Sequence, residues 1–367
     1  MSKKGKVLVA MSGGIDSSLA ALLLHEEGYE VIGMTMKTWD YTGSGSSKKE
    51  TGCCSLDSIN DARNIAVSLG FPHYILDIRN EFGDYVIDHF TNEYLDGRTP
   101  NPCVLCNTHI KWDALLRRAD MLGCDFIATG HYATLKHENG RYFISKGLDK
   151  SKDQSYALWG VSQESLARTI LPLSHLTKKE IYEMAAQRGF VDLVNKSESY
   201  EICFVPDNDY RGFLRHRVPG LSEKVAGGEF VNEQGEVLGQ HEGYPFYTIG
   251  QRKGLGLAMG YPVFVTGIDK ENNRVILGRD SELMKNAMTV DQLRLMKYDN
   301  LDGRTIETIT KVRYKDEGTP ASIQQIGDEM HVRFHDWVSA IAPGQAAVFY
   351  EGDDVVGGGW IRSGYRI

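Results

Sequence analysis

The sequence predicts an α/β protein in three parts: an N-terminal doubly wound, Rossmann-like domain, a small β-rich central domain and a C-terminal β-barrel. Through the first 206 residues, short β-branched runs alternate with helical patterns, the rhythm of a mostly parallel sheet with helices on both faces. Beyond that point glycines and short alternating runs dominate, which favours small antiparallel units or barrels. The length, 367 residues, at roughly 150 residues per domain leaves room for two or three domains.

The elements follow in order. Lys6 to Met11 (KVLVAM) reads as a buried strand, Ser17 to Glu27 as an amphipathic helix stopped by Gly28, and Glu30 to Thr38 as the next strand. Asp57 to Leu69 is a helix, His73 to Asp77 a strand, Glu81 to Leu95 and His109 to Leu122 helices, and Asp125 to Thr129 a strand. Thr177 to Arg188 opens with a Thr-x-x-Glu capping box (Thr177, Glu180) and closes at Gly189. Short strands follow at Gly227 to Val231, Glu236 to Gly239, Val263 to Asp269, Arg274 to Leu277, Thr305 to Tyr314, Glu329 to Phe334 and Ala346 to Tyr350. These readings place domain boundaries at 1–206, 207–282 and 283–367. Gly43 to Lys49 (GSGSSKK) offers nothing to bury and is expected to be a mobile loop.

Composition narrows the class. Lys and Arg number 41 against 49 Asp and Glu, a net charge of −8, with 41% hydrophobic and 25% charged residues. That excludes a generally basic nucleic-acid coat but not a local basic groove, because steering depends on where charges cluster. No window approaches 18 uninterrupted apolar residues, so a membrane-spanning helix is not expected. Met1 to Gly5 runs straight into the apolar Val7 to Met11 without signal-peptide features, and a cytoplasmic location is expected. Six cysteines (Cys53, Cys54, Cys103, Cys106, Cys124, Cys203) are too few for a disulfide scaffold. They point instead to metal binding, redox chemistry or nucleophilic catalysis.

Met11-Ser12-Gly13-Gly14-Ile15-Asp16-Ser17-Ser18 lies between the first strand and the first helix. Two glycines let the backbone approach an anion, the Ser hydroxyls add donors, and the helix N-terminus presents N–H groups and a positive dipole end. Any such tripeptide is also a simple strand-to-helix turn with Ser or Asp as N-cap. Its place after the first strand of a doubly wound pattern favours the phosphate cradle, since ligands bind at the carboxyl ends of such strands. There is no Walker motif, and Gly254-x-Gly256 in the β-rich half reads as a hairpin rather than a dinucleotide fingerprint.

Gly97-Arg98-Thr99-Pro100-Asn101-Pro102-Cys103-Val104-Leu105-Cys106-Asn107 is the second motif. Its prolines disfavour helix until after Pro102, so the cysteines begin a helix. A thiol near a helix N-terminus has a lowered pKa, and only the thiolate is nucleophilic, so Cys103-x-x-Cys106 is a candidate reactive pair. Half of a zinc site is the competing reading, although no second Cys-x-x-Cys or His-x₃-His lies nearby and Cys53-Cys54 are adjacent. Cys124 at a strand start reads as core, and Cys203, in Ser197 to Phe204, alone reads as a buried thiol.

SGGIDSS resembles the PP-loop of ATP pyrophosphatases, which split ATP to AMP and pyrophosphate and so adenylate a substrate. With Gly33 to Lys37 (GMTMK), GRTPNPCVLCN, Ala128 to Tyr132 (ATGHY), Lys152 to Tyr156 (KDQSY), Glu201 to Phe204 (EICF) and Tyr247 to Arg252 (YTIGQR), it occurs in the order seen in the tRNA-specific 2-thiouridylases (MnmA/TrmU family). The resemblance covers nearly the whole chain. It implies an adenine nucleotide alpha hydrolase-like catalytic domain and two tRNA-binding β-domains. It also implies ATP-dependent 2-thiolation of the wobble uridine, U34, by a tRNA-uridine 2-sulfurtransferase.

Carried over residue by residue, Ala10, Met11, Ser12, Gly13, Gly14, Ile15, Asp16 and Ser17, with Met36 and Gly130, look like the ATP site, and Asp16 would help hold Mg²⁺ at the pyrophosphate. Cys106 matches the nucleophile. Cys203 matches the cysteine that receives persulfide sulfur from an upstream sulfur carrier or cysteine desulfurase, and it forms a transient disulfide with Cys106. Asn101, Pro102 and Cys103 match the stretch that meets the target base, and His131, Lys152, Asp153, Gln154, Arg313, Tyr314 and Gln345 match tRNA contacts. The resemblance further implies tRNAs of the Lys, Glu and Gln type, no membrane association and a monomer.

The implied reaction is coherent. Uridine O2 becomes a leaving group by attacking the α-phosphate of ATP, and sulfur then adds at C2. Either the Cys203 persulfide attacks and Cys106 resolves it, or Cys106 releases hydrosulfide that attacks. Both versions need a segment around Ser197 to Phe204 to close over a flipped base. Where the best-known form of the motif has Asp, this chain has Cys103, so that acid/base role falls to another group or to Cys103 itself. Cys103, Cys106 and Cys203 holding an iron–sulfur cluster is the variant reading. An amidating or ligating PP-loop enzyme predicts no paired cysteines, and a non-catalytic zinc or nucleotide module lacks its ligand set. A tRNA thiolase acting on another base is the nearest alternative. Lys311, Arg313 and Lys315 read as one strand face, Arg211, Arg215 and Arg217 as a cluster at a helix start, and Arg252-Lys253 as a pair. Each is either a phosphate-tracking stripe or a solvated face.

Overall fold

A computed structural model describes residues 4–39, 55–194, 202–205 and 208–367. The Gly43 to Lys49 loop, Cys53, Cys54 and Ser197 to Glu201 lie outside the described residues. Two compact units form. One comprises Met1–Val86, Cys103–Asn208 and Asp353–Val355, the other Ile87–Pro102, Asp209–Gly352 and Val356–Ile367.

In the first unit the expected parallel sheet is present. Strands β1 (Lys6–Ala10), β2 (Glu30–Lys37), β3 (His73–Asp77), β4 (Phe126–Ala128), β5 (Ala133–Glu138), β6 (Arg141–Lys146) and β7 (Thr169–Ile170) follow in chain order. Five of them form a parallel sheet in the order β3-β2-β1-β4-β7. Val7, Leu8 and Val9 of β1 are fully buried, as a central strand covered on both faces requires. Helix α1 (Ile15–Glu26) packs Leu19, Leu22 and Leu24 into this core with Ala62 and Ile65 of α2 (Leu56–Leu69). Ser55 caps α2, accepting from Ser58 N at 3.1 Å, and Gly70 ends it at φ +76°. Strands β2 and β3 are added on one side of β1 and β4 and β7 on the other, so the loops leaving the parallel neighbours β1 and β4 diverge and open a crevice at their carboxyl ends.

The helix expected at Glu81 to Leu95 is in three pieces: α3 (Arg79–Phe82), a π-helical turn at Gly83–Ile87 and α4 (Asp88–Leu95). The helix expected from His109 starts earlier, at α5 (Pro102–Leu105), continues as a nine-residue π-helical stretch at Cys106–Ala114 and ends as α6 (Leu115–Met121). Short α7 (Gln163–Ala167) and α8 (Lys178–Gln187) complete the helices that shape the site. The Thr177–Glu180 capping box has both of its bonds. Strands β5 and β6, not anticipated, form an antiparallel hairpin, and Ser145 of β6 pairs with Asp354.

The second unit holds two β assemblies. Strands β8 (Gly228–Val231), β9 (Val237–His241), β10 (Phe264–Asp269) and β11 (Arg274–Gly278) make a four-stranded sheet in the order β10-β11-β8-β9. Strands β12 (Met284–Leu295), β13 (Thr305–Lys311), β14 (Thr319–Ile326), β15 (Glu329–Ser339), β16 (Ala346–Glu351) and β17 (Asp354–Tyr365) run β12-β15-β14-β13-β16-β17. A further β12–β17 pairing closes the barrel. Its core gathers Met288, Val290, Ile323, Val332, Phe349 and Val356.

Candidate active site

The cradle between β1 and α1 is built for an anion. Met11 N donates to Met34 O and the Thr35 hydroxyl to Met11 O, both at 2.8 Å, which fixes the loop's entry. Gly13 sits at φ +70°, where a Cβ would fall 1.9 Å from Ser58 O, so no other residue fits. Gly14 is the N-cap of α1 and offers the first turn no side-chain acceptor, which leaves that N-terminus open to a ligand rather than closed by a cap. The Ser17 hydroxyl donates to Gly14 O and accepts from Ser12 N, both at 3.1 Å, holding the loop in shape.

The loop after β4 closes the opposite wall. At Gly130 a Cβ would lie 2.8 Å from Asp16 C and from Ser17 N, so glycine is what lets this loop rest on the first turn of α1. Met36, near the end of β2, is half-buried. Asp16 is held by Lys178, whose ammonium donates to both carboxylate oxygens at 2.7 and 2.8 Å, and by the Tyr132 hydroxyl at 2.6 Å. The Lys178 side chain is 9% exposed and lies 5.8 Å from the Tyr132 ring and 5.1 Å from that of Tyr182.

Lys178 went unnoticed in the sequence. The available signal was a cation in the first turn of a capped helix, where the macrodipole disfavours positive charge. The cradle and Gly130 fit a nucleotide's phosphates. Asp16, in the first turn of α1 beside the cradle, supplies the hard oxygen donor that Mg²⁺ takes, and Lys178 is the cation that balances it.

Thiol chemistry centres on α5 and the π-helical stretch. Pro102 opens α5 where its missing N–H costs nothing. Cys103 is solvent-exposed, Cys106 half-buried and Cys203 exposed. The lowered pKa expected for a thiol at this helix start does not hold for Cys103: the protein mass around it raises its pKa, and Lys111 offsets this only in part. Cys124 is buried as expected. Tyr85 of the first π-turn stacks on His109 of the second at 5.1 Å. Phe204, next to Cys203, packs edge-on against Phe82 at 5.6 Å, and Phe82 belongs to α3, which touches the π-helical stretch carrying Cys106. Among the described residues no three His, Cys, Asp or Glu side chains gather as a metal site, so Cys103, Cys106 and Cys203 are not arranged as cluster ligands.

His131 is buried beside Trp112 at 5.3 Å, with Nδ1 2.8 Å from the Thr129 hydroxyl. Burial, assisted by Lys111, pushes its pKa well below the usual histidine value, so it is neutral near pH 7. Asp153 accepts from Gly147 N at 3.2 Å and the Ser155 hydroxyl at 2.8 Å. Gln154 accepts from Tyr132 N at 3.0 Å. Both therefore brace their own loop, with Lys152 in the same turn. In the second unit Gln345 Nε2 donates to Thr99 O at 3.1 Å and Pro100 O at 2.9 Å, which fixes the loop leading into Asn101 and Pro102. The single strand face expected for Lys311, Arg313 and Lys315 is not formed. Strand β13 ends at Lys311, and Arg313, Tyr314 and Lys315 stand exposed in a turn where the Asp316 carboxylate accepts from Val312 N and Gly318 N.

Comparisons with known proteins agree along the chain. Residues 5–207 match the tRNA methyl transferase HUP domain family, 212–279 the tRNA methyl transferase PRC-barrel domain and 285–361 the aminomethyltransferase beta-barrel domain. The tRNA-specific 2-thiouridylase MnmA of Cytophaga hutchinsonii is 75% identical over 100% of both chains. Its counterpart in Amoebophilus asiaticus is 70% identical over 99% of this chain and 97% of its own. That of Salinibacter ruber is 58% identical over 99% and 95%.

Proposed function

The chain belongs to the tRNA-specific 2-thiouridylase family, a PP-loop tRNA-uridine 2-sulfurtransferase that uses ATP, and we propose that its target is the wobble uridine of tRNAs of the Lys, Glu and Gln type. The observation that carries the site assignment is the pair of glycines, Gly13 and Gly130, closed to a side chain by backbone of α2 at Ser58 and of the first turn of α1 at Asp16 and Ser17.

In this reading residues Ala10 to Ser17 take the phosphates of ATP, and Met36 and Gly130 meet the adenosine. Uridine O2 attacks the α-phosphate and pyrophosphate leaves, with Lys178 holding the Asp16 carboxylate in place beside the phosphates. Mg²⁺, held through Asp16, supplies further neutralisation of the phosphates. The terminal sulfur of a Cys203 persulfide, received from an upstream sulfur-carrier protein, then attacks C2 and AMP departs. The Cys106 thiolate attacks the Cys203 sulfur, releasing 2-thiouridine and leaving a Cys106–Cys203 disulfide that a reductant reopens. In the hydrosulfide route Cys106 makes the same disulfide first, and the freed sulfide attacks C2. Cys106, matching the family's nucleophile, takes that role at the start of the π-helical stretch, and Cys103 stands just before it in α5. The loop of Asn101, Pro102 and Cys103, with His131, meets the flipped base, while Lys152, Asp153, Gln154, Arg313, Tyr314 and Gln345 position the tRNA.

Mass spectrometry of tRNA incubated with ATP, Mg²⁺, a sulfide source and the protein tests the reading. Wild type is expected to add 2-thiouridine at position 34 and release AMP and pyrophosphate in equal amounts, and Cys106→Ser to add none. Thiolation at another position, or full activity in Cys106→Ser, overturns it.

A further inference from the structure

The nucleotide cradle and the loop assigned to tRNA are joined by a circuit of hydrogen bonds through two residues with no role assigned above, Tyr132 and Asp149. Both belong to the first unit. Tyr132 is 4% exposed and is bonded at both ends. Tyr132 N donates to Gln154 Oε1 at 3.0 Å, and Gln154 N donates to Tyr132 O at 2.9 Å. At the far end of the side chain the hydroxyl donates to Asp16 Oδ1 at 2.6 Å, a length typical of a strong bond to a charged carboxylate. Gly147, at the start of the same loop, is so close that a Cβ there would lie 3.1 Å from Tyr132 C and from Tyr132 O. The loop 147–154 thus packs directly on the Tyr132 backbone.

Asp149 ties the same loop to the other donor. Its Oδ2 accepts from the backbone N–H of Lys178, the first residue of α8, at 2.9 Å, an amide that has no partner within its own helix. Its Oδ1 accepts from Ser151 N at 3.0 Å and the Ser151 hydroxyl at 2.6 Å, and Asp149 O accepts from Lys152 N at 3.1 Å. The Lys178 ammonium then reaches both oxygens of Asp16. A carboxylate offers about four acceptor positions. Among the described residues Asp16 Oδ1 takes Tyr132 and Lys178, and Oδ2 takes Lys178 alone, so the open position is on Oδ2. The Tyr132 hydroxyl is what confines it to that oxygen.

We propose that Tyr132 and Asp149 are positioning residues that make the orientation of the Asp16 carboxylate depend on the loop 147–154, so that tRNA seated on that loop and magnesium nucleotide seated in the cradle strengthen each other's binding. This rests on the functional reading above, in which the loop meets tRNA and Asp16 holds Mg²⁺. A ligand that restrains the loop restrains both donors to Asp16, so less side-chain freedom is lost when the cation arrives. By linkage, nucleotide tightens tRNA by the same factor.

Isothermal titration with the α,β-methylene analogue of ATP, which is not cleaved between those phosphates, reads the coupling without turnover. In Mg²⁺, wild type saturated with a tRNA transcript is expected to bind the analogue about tenfold more tightly than wild type alone. Tyr132→Phe keeps the ring and removes the hydroxyl, and tRNA should then change analogue affinity by less than about twofold. Asp149→Ala should lose the coupling likewise, while Asp149→Asn, whose side-chain carbonyl can still accept from Lys178 N, should retain most of it. Without tRNA and with EDTA in place of Mg²⁺, Tyr132→Phe and wild type should bind the analogue equally, because the hydroxyl acts through the cation's ligand. Tyr298→Phe, which removes a hydroxyl bonded to Glu351 at 2.8 Å, is the control and should keep wild-type coupling. Undiminished coupling in Tyr132→Phe, an equal loss in Tyr298→Phe, or weaker binding of Tyr132→Phe in EDTA, the mark of a merely structural lesion, overturns the coupling. So does a wild type that thiolates tRNA yet binds the analogue equally with and without it. A wild type that neither binds nor thiolates tRNA overturns the functional reading and this one with it.

Discussion

Replacing Gly130 by Ala tests whether the crevice between β1 and β4 holds the nucleotide. The added methyl group would sit 2.8 Å from Asp16 C, 2.8 Å from Ser17 N and 3.0 Å from Asp16 O. All three are backbone atoms of the first turn of α1, so no side-chain rotation relieves the clash. An ordinary carbon contact needs roughly 3.5 Å, so the loop after β4 or the start of α1 must move by about 0.7 Å. Overpacking of this kind costs about 1 to 3 kcal/mol. Displacing the α1 N-terminus also spoils the alignment of amides toward phosphate, so the same cost transferred to ATP binding weakens it about 5- to 150-fold. Isothermal titration with ATP, alongside denaturant unfolding, separates the two effects. Gly83→Ala is the reference, since a Cβ there meets nothing within 4 Å and helical Ala is favoured over Gly. Wild-type ATP affinity and stability in Gly130→Ala would show that the crevice does not close on nucleotide as described.

Two further outcomes are expected. Lys178→Met removes the partner that donates to both oxygens of Asp16. With Asp16 about one third exposed, the stability loss is about 1 to 2 kcal/mol rather than that of a fully buried pair. ATP-dependent AMP release should fall about 100-fold or more; AMP release at the wild-type rate would refute a role at the phosphates. His241, buried with its Nδ1 accepting from Gly243 N at 3.0 Å, has its pKa lowered by burial from 6.5 to about 4. The unfolded chain therefore binds more protons between these values, so stability is full above pH 6.5 and lost as pH falls toward 4, by up to about 3 kcal/mol. Urea unfolding between pH 7 and 4.5 should show that loss, and His241→Asn, whose Oδ1 can replace the acceptor, should flatten it. An equal slope in both proteins would place the pH dependence elsewhere.

What the sequence made legible follows from which residues face a local rule. β1 and β2 are largely apolar or β-branched runs in a buried parallel sheet, and β3, a short exposed edge strand, is bounded by Pro72 and the polar Asp77, so all three are read to within a residue or two. The cradle is legible because Gly13 and Gly14 follow the first strand of a doubly wound pattern, where ligands bind. The π-helical stretches at Gly83–Ile87 and Cys106–Ala114 are not legible, since a local widening of the helix leaves the apolar pattern too little changed to mark it, even where Gly83 opens the first. Strand β17 was missed for the opposite reason. Its Gly357 and Gly359 look like turn residues, yet a Cβ at either would strike the backbone of β12, at Arg294 O (2.4 Å) and Asp291 O (2.6 Å). They are the close approach that closes the barrel. The Asp16–Lys178 pair spans 162 residues, a separation that periodicity does not reach.

The same distinction between local and long-range information explains how an acidic chain can serve an RNA substrate. Its pI of about 5.8 records the sum of charges, but the second unit neutralises some of its cations pairwise: Arg98 with Glu93 and Asp96, Lys270 with Asp96, Arg215 with Glu242, Arg217 with Asp88, and Arg274 with Glu229. Exposed pairs of this kind contribute little to stability, yet each removes a cation that would otherwise attract any polyanion. The cations without a carboxylate partner among the described residues include Arg211, Arg252 and Lys253 around Gly254, and Arg313 and Lys315 in the turn after β13. A phosphate backbone meeting such a surface is attracted more to the unpaired cations than to those already held by a carboxylate. Binding is therefore ordered by position rather than by net charge, and its salt dependence should report only the few phosphates so held.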